Sequence, residues 1–286
     1  MTMRTFSQSN LLSAERRSRM ANAGHAGHAF SLIEIMVVVS LMTVIILGLV
    51  AMFGQTQKAF RGSMTQVDVL ASGRATMDLL TRELEQIKPC CLFNVINFYV
   101  TRANVVPLIQ PLPGTTESRT NVLEEFYFMT QENQQWSGIG YRVSTPDAGV
   151  GTLYRFYTNA PATGITNWIA NFQNAALTNM NRIAEGVVHL RVRAYDTNGY
   201  LIVRSLNVNI TATNVFPGEI NSFFRSNALP ACLELELGIL EQRTLERVRS
   251  IPNAAAQRTF LQNHAGQVHL FRQRIPVRNV DPTAYQ

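Results

Sequence analysis

Formal charge is scarce in this chain, at 15% of residues, and it vanishes between Glu34 and Lys58. A charge-free stretch of that length excludes an ordinary solvated helix or linker there. Cysteine is nearly absent as well. Cys90, Cys91 and Cys232 are the whole complement and form no Cys-x-x-Cys pair, which excludes a zinc ribbon or a dithiol redox centre. His25, His28, His189, His264 and His269 are scattered, with no His/Asp/Glu grouping at ligand spacing, so no metal site is expected. No nucleophile elbow, phosphate loop or Cys–His arrangement occurs, so the chain is expected to be no enzyme and to hold no cofactor.

What is present begins with the apolar run from Ile35 to Phe53, IMVVVSLMTVIILGLVAMF. At 1.5 Å per residue it makes a helix of about 28 Å, close to the hydrocarbon thickness of a bilayer. A transmembrane helix is the expectation. Before it, residues 1–29 hold Arg4, Arg16, Arg17 and Arg19 against Glu15, which is half of the net +6. Basic residues ahead of a first apolar segment hold that end in the cytoplasm. A secretory signal would place small residues after the apolar run for cleavage, but GQTQKAFRGSMTQ follows Phe53 and continues a helical pattern. The boundary Ala29-Phe30-Ser31-Leu32-Ile33-Glu34 suggests a cut before the apolar segment instead, leaving the helix on the mature chain.

Glu34 stands at the lip of that helix, where a carboxylate is costly unless protonated or paired. It can be an ordinary boundary residue at headgroup level. The sharper reading is that a cut before Phe30 creates an α-amine close by, able to pair with Glu34 of a neighbouring helix. Such a pair enforces axial register between packed helices, which makes the chain part of an assembly.

FSLIEIMVVVSLMTVIILGL resembles the prepilin motif of the type IV pilin and pseudopilin superfamily, in which a small residue precedes Phe-Thr/Ser-Leu-Ile/Val-Glu and a long apolar helix. The resemblance implies cleavage after Ala29 by a prepilin peptidase and N-methylation of Phe30. It makes Glu34 the acid that recruits and aligns subunits. The residue before Phe30 is Ala where the family usually has Gly, and a cut after Gly27 would shift the acid out of its place. The implied setting is a bacterial inner membrane crossed once, with the leader in the cytoplasm and the head in the periplasm. Implied partners are other pilins or pseudopilins through the helix, the peptidase, the inner-membrane assembly platform, and lipid before assembly.

Beyond Phe53 the helical pattern continues. Val67, Leu70, Met77, Leu80, Leu84 and Ile87 mark an apolar stripe, and Arg74, Asp78 and Arg82 lie four apart on a polar face. Pro89 stops the pattern. One helix is therefore expected over residues 30–88, about 85 Å if unbroken, with 30–53 in the membrane and 54–88 packed on a head. Gly48, Gly54, Gly62 and Gly73 invite bending.

Residues 89–286 read as a β-rich head. Strands are expected at Leu92–Thr101, Asn121–Thr130, Ile139–Ser144, Thr152–Tyr157, Val187–Tyr195, Leu201–Thr211 and Leu229–Leu240. The plainest hairpin turns at Asp196-Thr197-Asn198-Gly199. In Leu233-Glu234-Leu235-Glu236-Leu237 the alternation gives one face to a core. Residues 159–181 read as loops with a short helix, and residues 250–286 as an extended or loosely helical tail. The fold class expected is α+β, a long N-terminal helix on an antiparallel sheet. EGVVHLRVRAYDTNGYL and NALPACLELELGI further resemble the late strands of the larger minor pseudopilins, especially the J-type component of type II secretion.

The remaining candidates are modest. Cys90 or Cys91 can bridge to Cys232 in an oxidising compartment, or all three can remain free thiols. Asp196 can ligate calcium, but one acid among Thr and Asn is ordinary turn chemistry. Arg243, Arg247 and Arg249, then Arg272, Arg274 and Arg278, form two clusters without interleaved aromatics. A solvated face or an acidic neighbouring subunit suits them better than nucleic acid. The expected function is a minor pseudopilin at the tip or initiation point of a secretion filament. The rivals are a minor subunit of a type IV pilus for adhesion, motility or DNA uptake, and a single-pass membrane-anchored enzyme or binding module.

Overall fold

The computed structural model describes residues 31–285 apart from 94, 104, 113, 145–148, 162–167 and 217–218. The expected cleavage site at Ala29 and Phe30, and the leader before it, lie outside the described residues. The chain divides into two compact units, one ending at Lys58 and one beginning at Ala59. Helix α1 (Leu32–Leu84) contributes to both. No helix breaker interrupts it, and the glycines at 48, 54 and 62 sit within continuous helix.

In the first unit the side chains from Leu32 to Phe53 are exposed throughout, and α1 contains an 18-residue window of mean hydropathy 2.9. This is the one helix among the described residues long and apolar enough to cross a membrane. In the second unit Val69, Gly73, Thr76, Met77, Leu80 and Leu84 form the buried stripe of α1. Met77, Leu80, Leu84 and Ile87 are buried as expected, and Leu70 is half-buried; the stripe departs from expectation at its start. Val67 is 59% exposed, and Val69 faces the sheet instead. Arg74, Asp78 and Arg82 form no ion pair with one another among the described residues. The helix also stops at Leu84, short of the expected Lys88. Ile87 leaves it to bridge Thr130, and the Lys88 N–H donates to Met129 O at 3.0 Å. Sheet pairing takes over before Pro89 can act.

The head is a nine-stranded antiparallel sheet in the order β11-β10-β7-β6-β5-β4-β1-β9-β8. Its strands are β1 (Ile96–Arg102), β4 (Glu124–Glu132), β5 (Gln135–Val143), β6 (Gly151–Pro161), β7 (Asn181–Tyr195), β8 (Ile210–Phe216), β9 (Glu219–Arg225), β10 (Cys232–Leu240) and β11 (Val268–Pro276). A separate two-stranded sheet joins β2 (Leu108–Pro111) to β3 (Ser118–Asn121). Period-two alternation divides the side chains between two layers. Phe98, Phe126, Phe128, Leu190, Leu233, Leu235 and Leu237 join the α1 stripe in the main core. Their neighbours Tyr99, Tyr127 and Met129 face the other way, with Trp168 and Phe172 of α2 (Trp168–Asn174). Gly138 and Gly140 of β5 open the room for those two rings, since a Cβ at either would run into them. A third cluster sets Leu245 and Val248 of α3 (Gln242–Ser250) and Leu261 of α4 (Ala254–Gln262) on Leu240 and Val268.

The α+β class with its long helix on an antiparallel sheet is therefore the observed one. The hairpin at Asp196 turns as expected, with the Asn198 and Tyr200 N–H groups donating to Asp196 Oδ1 at 2.9 and 2.7 Å. Its second arm, however, keeps only the Tyr195–Leu201 bridge. Asn207 Oδ1 accepts from the N–H groups of Asn209 and Ile210, a local alternative to ladder pairing, and β8 starts only at Ile210. The tail over residues 250–286, expected to be extended or loosely helical, holds helix α4 and the edge strand β11 in full register with β10.

Candidate functional site

The candidate site is the exposed start of α1. Ser31 precedes the first helical turn, and the Glu34 N–H donates to its Oγ at 3.3 Å and its carbonyl at 3.0 Å. Ser31-x-x-Glu34 thus has the spacing of a capping box, in which an acid three residues after a hydroxyl stabilises the helix start. The Glu34 carboxylate itself is exposed and makes no side-chain hydrogen bond or ion pair among the described residues. A carboxylate in the first turn also lies at the positive end of the helix dipole. Sequence reasoning found Glu34 through its cost in an apolar run, but it missed the capping geometry, which the Ser31–Glu34 spacing carries.

Below it the apolar surface has no polar gap. The only hydroxyls in the run, Ser40 and Thr43, donate back to their own helix, Ser40 Oγ to Val37 O and Thr43 Oγ1 to Val39 O, both at 2.8 Å. Such back-bonding satisfies each hydroxyl without water. A Cβ at Gly48 or Gly54 would find no atom within 4 Å, so both leave smooth, uncommitted surface.

In the head, the end of α1 is latched electrostatically. Glu83 accepts from Arg155 Nε and NH2 at 3.0 and 2.8 Å and from the Tyr141 hydroxyl at 2.5 Å. This fork joins the helix to β5 and β6, and burial together with the Glu83 contact raises the Tyr141 pKa. No feature of the sequence pattern marked Glu83, because its partners lie on strands far along the chain.

A second polar group lies inside the sheet. Glu124 is buried and accepts the Val192 N–H at 2.6 Å, and burial pushes its pKa up to about 8. His189 Nδ1 accepts the Val122 N–H at 3.1 Å, which leaves Nε2–H to face Glu236 Oε2 at 3.3 Å. Burial lowers the His189 pKa, while the His189 contact and nearby Arg193 and Arg191 hold Glu236 down to about 2. These groups are spread along strand interiors and serve sheet pairing.

The other candidates do not converge. All three cysteines are free, so the Cys90 or Cys91 bridge to Cys232 is not formed. Cys90 is packed among Tyr99, Tyr127 and Met129, where burial raises its thiol pKa. Cys91 and Cys232 turn their thiols to Pro89 O and Leu233 O at 3.8 and 3.7 Å. His264 stacks on Phe260, and His269 Nε2 meets Glu241 at 3.2 Å. Among the described residues no group of three or more His, Cys, Asp or Glu is placed to hold a metal ion. Arg249 pairs with Glu185 at 2.9 Å, and Arg272 and Arg274 pair with Glu234 at 2.7 and 3.0 Å. Comparison of the chain with protein-family models, curated proteins and solved structures finds no match.

Proposed function

We propose that this protein is a minor pilin- or pseudopilin-like structural subunit of a filament assembled from a bacterial inner membrane. The observation that carries the reading is the apolar first part of α1, exposed from Leu32 to Phe53, with Glu34 alone at its start. Surface that apolar is stable only against lipid or against other apolar helices. An acid beside a newly made amine supplies what apolar packing lacks, which is axial register. The leader is cut after Ala29 and Phe30 becomes the methylated terminus, with the head in the periplasm.

The mechanism is mechanical. Subunits leave the bilayer as helix–helix contacts replace lipid contacts, and the growing filament pushes on what lies ahead of it. The large head suits a tip or initiating position better than a repeated shaft position, because shaft subunits pack closely around one another. Secretion of the type II kind is the setting that the EGVVHLRVRAYDTNGYL resemblance favours.

Mass spectrometry of the N-terminus of protein purified from its own host tests the reading. The expected terminus is N-methylated Phe30. An intact leader, or a cut near Gly54 that releases the head, overturns it.

A further inference from the structure

The terminal strand of the head sheet carries an unfinished charge pattern. Among the described residues the backbone of β11 bonds to β10 alone, so its other side is a free edge. Across β7, β10 and β11, two rows of facing residues alternate in sign, Arg193–Glu234–Arg274 and Arg191–Glu236–Arg272. The contacts within them are short. Arg193 and Arg272 reach Glu234 Oε1 at 3.1 and 2.7 Å, and Arg274 reaches Glu234 Oε2 at 3.0 Å. Arg272 also approaches Glu236 at 3.4 Å, and Arg191 does so at 3.7 Å. Arg274 lies over the Tyr195 ring, 5.0 Å from its centroid, which keeps the guanidinium on this face.

Each row ends at the edge on a guanidinium and holds two cations to one carboxylate. Arg272 and Arg274 remain 55% and 66% exposed despite their pairing. Opposite charges facing one another across strands stabilise a sheet and like charges destabilise it, so the next position in each row calls for an acid. We propose that the β11 edge accepts a tenth strand, an extended partner segment carrying Asp or Glu at alternate positions opposite Arg272 and Arg274. Backbone hydrogen bonds supply its affinity, and the two arginines set its register and choice. A second copy of this chain fits poorly. Antiparallel β11–β11 pairing about Gln273 sets Arg272 against Arg274 twice, and pairing about Arg272 sets Arg against Arg and Arg274 against Leu270.

The test uses the full chain in detergent micelles and labelled peptides as long as β11, with binding read by fluorescence anisotropy. A peptide of alternating Val and Glu is expected to bind, and one of alternating Val and Lys is not. N-methylating the backbone amides along one side of the Val–Glu peptide is expected to weaken it at least about tenfold, since several ladder bonds are lost. The Arg272→Glu/Arg274→Glu variant is expected to reverse the preference toward the Lys peptide. Equal binding of the methylated and unmethylated peptides overturns the proposal, because charge alone then explains the contact. So does failure of the Val–Glu peptide to bind, which leaves the arginines only as guards against edge aggregation. The peptide comparisons use the unaltered chain, so loss of folding cannot imitate them, and neither outcome bears on the filament reading.

Discussion

Two stretches of one helix, Leu32–Phe53 and Val69–Leu84, follow opposite rules. The first is the more apolar and buries nothing, with Leu47 64% exposed. The second carries Arg74, Asp78, Arg82 and Glu83, yet Leu80 and Leu84 are completely buried. Hydrophobicity therefore does not mark the part of this helix that belongs to the head core. A stripe among charges packs on a sheet, whereas apolar residues on every side demand a surrounding that the described residues do not provide. The same distinction governs the glycines. At Gly48 a methyl group would meet nothing, but at Gly73 it would run into the Phe271 ring of β11.

The contrast can be broken most strongly at its apolar end. Replacing Ile45 and Leu49 together by Arg places two charges on one face of the run, at about 2.5–3.5 kcal/mol each near a bilayer centre. Alkaline extraction of membranes is expected to release this variant and to retain the parent. Next in size is Leu84→Ala, expected to destabilise the head by about 2–5 kcal/mol through a core cavity, while Leu47→Ala leaves head stability unchanged. Denaturant titration followed by tryptophan fluorescence distinguishes them, because Trp136 and Trp168 are both in the head.

Smaller again is Gly73→Val, which forces the Phe271 ring aside and is expected to cost about 1–3 kcal/mol. Gly48→Val is the paired control and should leave the same melt in place. If both variants melt alike, the Gly73 notch has no packing role. A pH slope offers a further test. Glu124 has its pKa raised to about 8 against an ordinary 4.5, so the folded state holds a proton that the unfolded chain releases. Its contribution is fully present below 4.5 and is lost as pH rises through 8. Glu124→Gln is expected to remove that decline from stability measured across the same range, while its amide oxygen still accepts the Val192 N–H.

Much of this was legible in the residues. The charge-free run, its single acid and the core-facing leucines of β10 are local patterns, and each survives in the structure at its place; the face carrying Glu234 and Glu236, expected toward water, is buried under the arginines that pair with them. The start of the helix stripe was not. Val67 and Val69 are equally apolar, and only the packing of the head decides that Val69 is the buried one. Strand β11 escaped notice because Arg272 and Arg274 made it read as a basic cluster, although they lie against Glu234 of its neighbour. Residues 201–209 failed in the opposite sense. They alternate like a strand, but Asn207 ties the backbone locally and the ladder does not form.

By itself the amino-acid order determined a helix long and apolar enough to cross a membrane, because hydropathy over such a length needs no tertiary context to act. It determined the α+β class for the same reason, since periods of 3.6 and 2 are properties of neighbouring residues. Tertiary structure alone decided where the buried stripe of the helix begins, that the three thiols are free, and that Glu83 closes on Arg155 and Tyr141. Those outcomes depend on side chains brought together from distant segments, and their distances are set by how the strands order themselves across the sheet.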